Sequence, residues 1–319
     1  LTNDFTRSVA QTKDGVLWVA TIGGGIYRGS PNALSAFRPE PPGITYAHVE
    51  SVLAARDGGV WWGAAVGLLR WYDGHLTHCV TNEPWIQASS VTAIQEDPQG
   101  GLWLGTLQGR LIHYQNNGFE EFSQRVARGS ITALAVATNG WLWVGSRGGG
   151  LRHVPPGSDQ VFTVTNGLPS PSIRTLYLDA EGVLWIGTAG GGLSCWRNGM
   201  VANFTEAQGL GTRTVSQIIE DDYGHLWLGT SRGIVKAKKR DLIECAAGRL
   251  GFVHTRSYGA NEGMPAEECS GGFCPAGLKT REGLLCFSTV KGLVFVDPRV
   301  ESAAMPAPDA MLEAIVVNA

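Results

Sequence analysis

One phrase, returning at near-regular intervals, limits what this chain can become. It reads Gly15-Val-Leu-Trp18-Val-Ala-Thr21, Gly58-Gly-Val-Trp61-Trp-Gly-Ala64, Gly100-Gly-Leu-Trp103-Leu-Gly-Thr106, Gly140-Trp-Leu-Trp143-Val-Gly-Ser146, Gly182-Val-Leu-Trp185-Ile-Gly-Thr188 and Gly224-His-Leu-Trp227-Leu-Gly-Thr230. A seventh, degenerate copy is Gly283-Leu-Leu-Cys286-Phe-Ser-Thr289. Successive anchors lie 43, 42, 40, 42, 42 and 59 residues apart. A period of this length with four short strands per unit is that of a β-propeller. Helical repeats of similar length need amphipathic stretches of about 10–15 residues, and none is visible.

Each recurring position has a physical task. Gly three before the anchor closes an Asp-rich hairpin turn and supplies a positive φ. The anchor itself, mid-strand among aliphatics, suits the wedge between adjacent blades. The small residue two later (Ala20, Gly63, Gly105, Gly145, Gly187, Gly229, Ser288) marks where a facing sheet comes close. Gly six after the anchor makes a second turn, and an aliphatic returns two residues further on. Apolar pairs such as Val91 and Ile94 or Ile173 and Leu176 define the innermost strand, with the Trp strand second, the Leu strand third and an outer strand fourth.

The reading is therefore an all-β, seven-bladed propeller of four-stranded antiparallel blades with a narrow central channel. It occupies residues 1–300, anchored at Trp18, Trp61, Trp103, Trp143, Trp185, Trp227 and Cys286. Residues 301–319 read as a linker and the start of a following β-sandwich or a closing strand. Blade seven lacks a clear outer strand, so closure needs a strand from 1–4, from 311–317 or from outside this chain. The extra residues between Lys239 and Gly272 read as a longer loop around blade six's outer strand, near Phe252–Ser257.

Composition agrees with this reading and removes alternatives. Glycine supplies 44 of 319 residues and tryptophan 11, while charged residues reach only 17%; a disordered chain would be charged and poor in aromatics. Fourteen glycines and six tryptophans are the repeat positions themselves, so their excess reads as architectural. A net charge of −3 provides no basic field for nucleic acid. No apolar run approaches the ~20 residues of a membrane span. The six cysteines form no CxxC, and no metal or cofactor is expected. Cys269 and Cys274 could bridge in an oxidising compartment or stand as two partly buried thiols. No signal peptide is visible and residue 1 is Leu, so the chain reads as a mature or excised piece.

The unit D-x-x-G-x-[LIV]-W-[LIV]-G-T-x-x-G-G-[LI] resembles the two-component regulator propeller repeat. The links Asn166-Gly-Leu-Pro-Ser170 and Gln208-Gly-Leu-Gly211 are similar to that family's inter-blade phrase. Glu262-Gly-Met-Pro265, Glu268-Cys-Ser-Gly-Gly272, Pro275-Ala-Gly277 and Gly292…Asp297-Pro298 resemble its terminal repeat, with Cys286 and Ser288 replacing a Trp and a Pro. Met311-Leu-Glu-Ala-Ile-Val-Val-Asn318 is similar to the opening of the sandwich that follows. The resemblance implies the periplasmic or extracellular sensor region of a bacterial histidine kinase or hybrid kinase. It also implies a ligand partner, a homodimer in the parent receptor, and no nucleic-acid or membrane contact by this piece.

In such a fold the turns after the Trp strands and the starts of the inner strands share one face, where a rigid scaffold presents binding residues. The turn tips there include Gln108, Arg147, Arg232 and Lys291. The inner-strand starts add His48, Arg174 and Arg213, with Arg7 and Glu50 at the position of Arg174. Tyr46, Trp85 and Phe273 offer stacking surfaces, and Arg125 and Arg128 lie on connections. Arginine forks suit carboxylate or sulfate groups, so the expected ligand is an oligosaccharide or other anionic or polyhydroxylated molecule; solvated turn residues are the alternative. The chain itself is read as non-catalytic. A polysaccharide or antibiotic lyase would need a channel-face His, Tyr or Arg pair, for which His48 and Tyr46 are the candidates. Gly229-Thr-Ser-Arg-Gly233 matches G-x-S-x-G but sits at a variable turn. His75 and His78 fall on opposite strand faces, unsuited to one metal. A docking or dimerisation platform, using 240–272, is the third reading.

Overall fold

The computed structural model describes residues 5–38, 48–78, 89–122, 129–155, 162–164 and 167–302. They form seven antiparallel sheets, six of four strands and a last one of three. The inner strands are Thr6–Gln11, Val49–Ala54, Val91–Glu96, Ile131–Val136, Ile173–Leu178, Val215–Glu220 and Gly277–Lys279. Each packs beside the next, and the last returns to the first, so the ring closes.

The turn chemistry is as the repeat predicts. Gly15, Gly58, Gly100, Gly140, Gly182, Gly224 and Gly283 all have φ between +78° and +93°. The aspartates that open two of these turns, Asp179 and Asp221, have a second task that the spacing alone does not reveal. Asp179 Oδ1 accepts from the Glu181 and Val183 amides, and its Oδ2 accepts from the Trp185 indole at 2.9 Å. Asp221 repeats the arrangement with Tyr223, His225 and Trp227. A carboxylate six residues before the anchor thus satisfies a buried indole N–H that would otherwise be costly to desolvate.

The anchors fill the wedges. Trp143 packs among Ile173, Leu176 and Leu184, Trp185 among Val215 and Ile218, and Trp18 among Val49 and Val52. In blade seven the fully buried Cys286 takes this place against Val9, Leu17, Val19 and Tyr27 of blade one.

Closure uses no fourth strand in blade seven among the described residues. Thr6 Oγ1 donates to the Thr289 and Gly292 carbonyls, both at 2.9 Å, and accepts from the Thr289 amide at 3.0 Å. The strands proposed from 1–4 and 311–317, like the sandwich start within 303–319, lie outside the described residues; Pro298–Ser302 is a short helix. Thr6→Val keeps the shape and removes a buried hydroxyl. It is expected to lower stability by about 2 kcal/mol, read as a drop in denaturation midpoint; an unchanged midpoint would show that closure does not depend on this hydroxyl.

The long spacing before blade seven is not simply a loop. It holds the helix α1 (Lys239–Ala246), blade six's outer strand Thr255–Tyr258, and then a segment that enters the channel. The narrow central channel expected from the sequence is thus filled by this segment. The Cys274 amide donates to the Thr92 carbonyl of blade three, and its own carbonyl accepts from Ile94. Pro275 O accepts from the Val9 amide and the Ser8 hydroxyl of blade one. Gln217 of blade six donates to Ser270 O and Ser288 O, both at 2.7 Å. Residues 270–276 plug the channel and tie five blades together.

Cys269 and Cys274 are both free. Their thiols face the Gly233 and Leu134 carbonyls respectively, and burial raises the pKa of each.

Candidate functional site

The upper wall of the plug is where charged side chains gather. In six blades the inner strand carries a β-bulge at the same repeat position, opposite the end of the Trp strand. The residues set apart from the ladder are Arg7, Glu50, Thr92, Thr132, Arg174 and Ser216. A bulge re-aims its side chain; Arg7 and Arg174 are turned toward the plug, and the two threonine hydroxyls toward the next blade. Thr92 Oγ1 reaches the Ile131 carbonyl of the next blade at 2.7 Å, and Thr132 reaches Ile173 O in the same way.

Arg7 lies over the Phe273 ring, 4.5 Å from its centroid, and is ion-paired with Glu50, itself buried. Burial lowers the pKa of Arg7. A second group forms across Gly272. A Cβ there would sit 3.6 Å from Arg147 Nη2 and 3.7 Å from Arg174 Nη1, so both guanidinium groups meet over the same stretch of plug backbone. Burial, reinforced by the Arg147 charge, lowers the pKa of Arg174, while Glu268 acts in the opposite direction. An arginine stays protonated under such pressure. Arg174 Nε is buried without a hydrogen-bond partner. Two like charges held together, one with an unused donor, are suited to receive an anion with paired oxygens.

The other sequence candidates are placed as follows. Gln108, Arg213, Arg232 and Lys291 are exposed turn residues on this face. The Arg213 carbonyl accepts from Gly192, and the Arg232 and Lys291 amides bond to the hydroxyls of Thr230 and Thr289. His48 is exposed and bridges to Ile22. Tyr46, Trp85, Arg125 and Arg128 lie outside the described residues. Sequence reasoning missed the plug as the floor of the site. Its signal was the 59-residue spacing together with Gly271-Gly-Phe-Cys-Pro275, a run with small residues where a backbone must pass close to others. A Cβ on Gly271 would lie 2.6 Å from that of Ser216.

These features define a class: a seven-bladed propeller with a filled channel and arginines gathered beside the plug. Residues 1–23, 86–108, 167–190 and 209–232 match the two component regulator propeller, so the chain carries repeats of that kind. No curated protein matches the sequence at a significant level. Among solved structures, the fold is similar to the extracellular domain of BT3049, assigned to the hybrid two component systems of B. thetaiotaomicron. That likeness has a TM-score of 0.76 at 23% identity, over 96% of this chain and 41% of that one. A catalytically inactive virginiamycin B lyase from Staphylococcus aureus, solved with quinupristin, gives 0.68 at 15% identity, over 92% and 95%. PorZ of Porphyromonas gingivalis, a surface component of the type-IX secretion system, gives 0.64 at 16%, over 92% and 46%. At these identities the likeness is one of fold, and this chain spans less than half of the BT3049 domain. No helix among the described residues is long and apolar enough to cross a membrane.

Proposed function

We propose that this propeller is a non-catalytic, extracytoplasmic ligand-sensing module of a bacterial two-component sensor. Its ligand is an anionic, polyhydroxylated molecule such as an acidic oligosaccharide, received on the plug face. The observation that carries this reading is the convergence of Arg147 and Arg174 over Gly272, beside the Phe273 ring. A carboxylate or sulfate fits the paired guanidinium forks, and a sugar face fits the ring. Signalling in the parent follows only if the ligand binds two arrangements of the sensor, such as two forms of a homodimer, with different affinity.

A thermal-shift screen against acidic and neutral oligosaccharides, with product analysis of each hit, tests the proposal. Acidic ligands should stabilise the protein and be recovered intact. Arg147→Ala and Arg174→Ala should each weaken binding by about tenfold or more, the worth of a charge-assisted hydrogen bond. Full stabilisation of both variants would overturn the assignment of the site, and a cleaved ligand would turn the reading to a lyase.

A further inference from the structure

On the face opposite the plug, turns of blades one and two border a cleft of about 330 Å³. This is within the range of small-molecule sites, about 300–1,000 Å³. Trp18, Trp71 and the half-exposed Tyr72 give it an aromatic wall. Arg28 lines it too, and its guanidinium lies over Trp18 and Phe37, 5.5 and 4.7 Å from the ring centroids. Phe37 stands edge-on to Trp18 and Trp71, at 5.1 and 4.9 Å. Stacking on rings takes up a face of a guanidinium and leaves the N–H groups of its edge to bond elsewhere.

Blade two shows one use of that edge. Arg70 pairs across from Trp61 as Arg28 pairs across from Trp18. Arg70 also lies over its anchor ring, and it closes an ion pair with Asp57, four residues before that anchor. The corresponding acid in blade one is Asp14. Its Oδ1 accepts from the Thr12 hydroxyl at 2.6 Å and from the Val16 amide at 3.3 Å. Among the described residues, the Arg28 guanidinium forms no hydrogen bond or ion pair.

A second donor on the wall also lacks an acceptor. Trp18 Nε1 is buried without a hydrogen-bond partner, whereas the anchor indoles of blades five and six donate to Asp179 and Asp221. Thr12 stands at the position of those aspartates, and its hydroxyl donates to Asp14 and to the Val16 carbonyl. The charges that line the cleft balance. Arg28 and Lys13, whose ammonium bonds to the Arg56 carbonyl, stand against Asp14 and the exposed Asp73. A wall neutral in sum, with one unpaired fork, suits a single carboxylate better than a polyanion.

We propose that the cleft between blades one and two binds a small aromatic carboxylate, with its oxygens on the Arg28 fork and its ring against Trp71 and Tyr72. A carboxylate matches the parallel N–H groups of a guanidinium, and an apolar ring gains from burial against aromatic side chains. This site lies on the other face from Arg147 and Arg174, and neither reading depends on the other.

Isothermal titration calorimetry with phenylacetate tests it, with phenylacetamide as the neutral isostere and glucuronate as the acidic sugar. Phenylacetate should bind about tenfold more tightly than phenylacetamide, as expected of a hydrogen bond to a charged group. Arg28→Met keeps an aliphatic stem over Trp18 and should bring the two ligands to equal affinity. Arg28→Lys keeps the charge without the fork and should recover part of the difference. Tyr72→Ala, at a half-exposed position, should weaken both ligands by about threefold. Arg174→Ala should leave phenylacetate binding unchanged. No saturable heat with phenylacetate, equal affinity for the amide in wild type, a preference for glucuronate, wild-type affinity in Arg28→Met, or loss of binding in Arg174→Ala would each overturn the proposal.

Discussion

Asp221→Ala is expected to cost the fold about 4 kcal/mol, because it strands several buried donors at once. The carboxylate accepts from the Tyr223 and His225 amides at 2.9 Å each and from the Trp227 indole at 2.8 Å, and the Trp227 side chain is fully buried. Asp221→Asn retains an acceptor for the amides and turns a donor toward the indole, so its loss should be smaller. The same residue sets a pH dependence. Burial acts to raise its pKa, but the bonds from Trp227, His225 and Tyr223 and the His225 charge outweigh burial and lower it overall. A group with a depressed folded pKa gives its full stabilisation above its unfolded value, about 3.9 for Asp, and loses it as pH falls through the folded value. Urea denaturation of wild type should therefore show stability falling below about pH 4, with a shallower fall in Asp221→Asn. Equal slopes in the two proteins would mean that Asp221 is not the titrating group.

Gly187→Ala should be nearly as damaging for a different reason. A Cβ at Gly187 would lie 2.6 Å from the Val215 carbonyl oxygen of the next blade and 2.5 Å from Thr175 Cγ2. The oxygen belongs to an inner strand fixed by its ladder, so the blade itself must move. Overpacking of this kind costs about 3 kcal/mol, and thermal denaturation should show it. Gly199→Ala adds no contact within 4 Å but forces a side chain onto a φ of +81°. Its loss should be near 1 kcal/mol. If the two variants melted together, conformational strain rather than blade spacing would govern this fold.

What the sequence made legible follows from periodicity. Blade number, strand order and the two turns depend on residues that repeat, and Gly15 and Gly187 could be assigned their tasks because each has counterparts in other blades. The plug has no counterpart. Phe273, Cys274 and Pro275 bond to blades one, three and four, more than a hundred residues away, and no local pattern encodes such partners. The bulges were hidden too. Arg7, Glu50 and Arg174 were visible as equivalent positions, but their inward aim comes from a skipped ladder residue.

The plug also governs the order in which the molecule can be completed. Thr6 finds its partner 283 residues along the chain and Ser8 finds Pro275 267 residues along. During synthesis from the N-terminus, blade one must wait, with its inner strand uncovered, until nearly all the rest has been made. Contacts of such long range slow folding. Pulse-labelled amide exchange at Val9 and Ile94, whose N–H groups bond to plug carbonyls, should gain protection last. Early protection of either amide would show that the ring forms before its hub is seated.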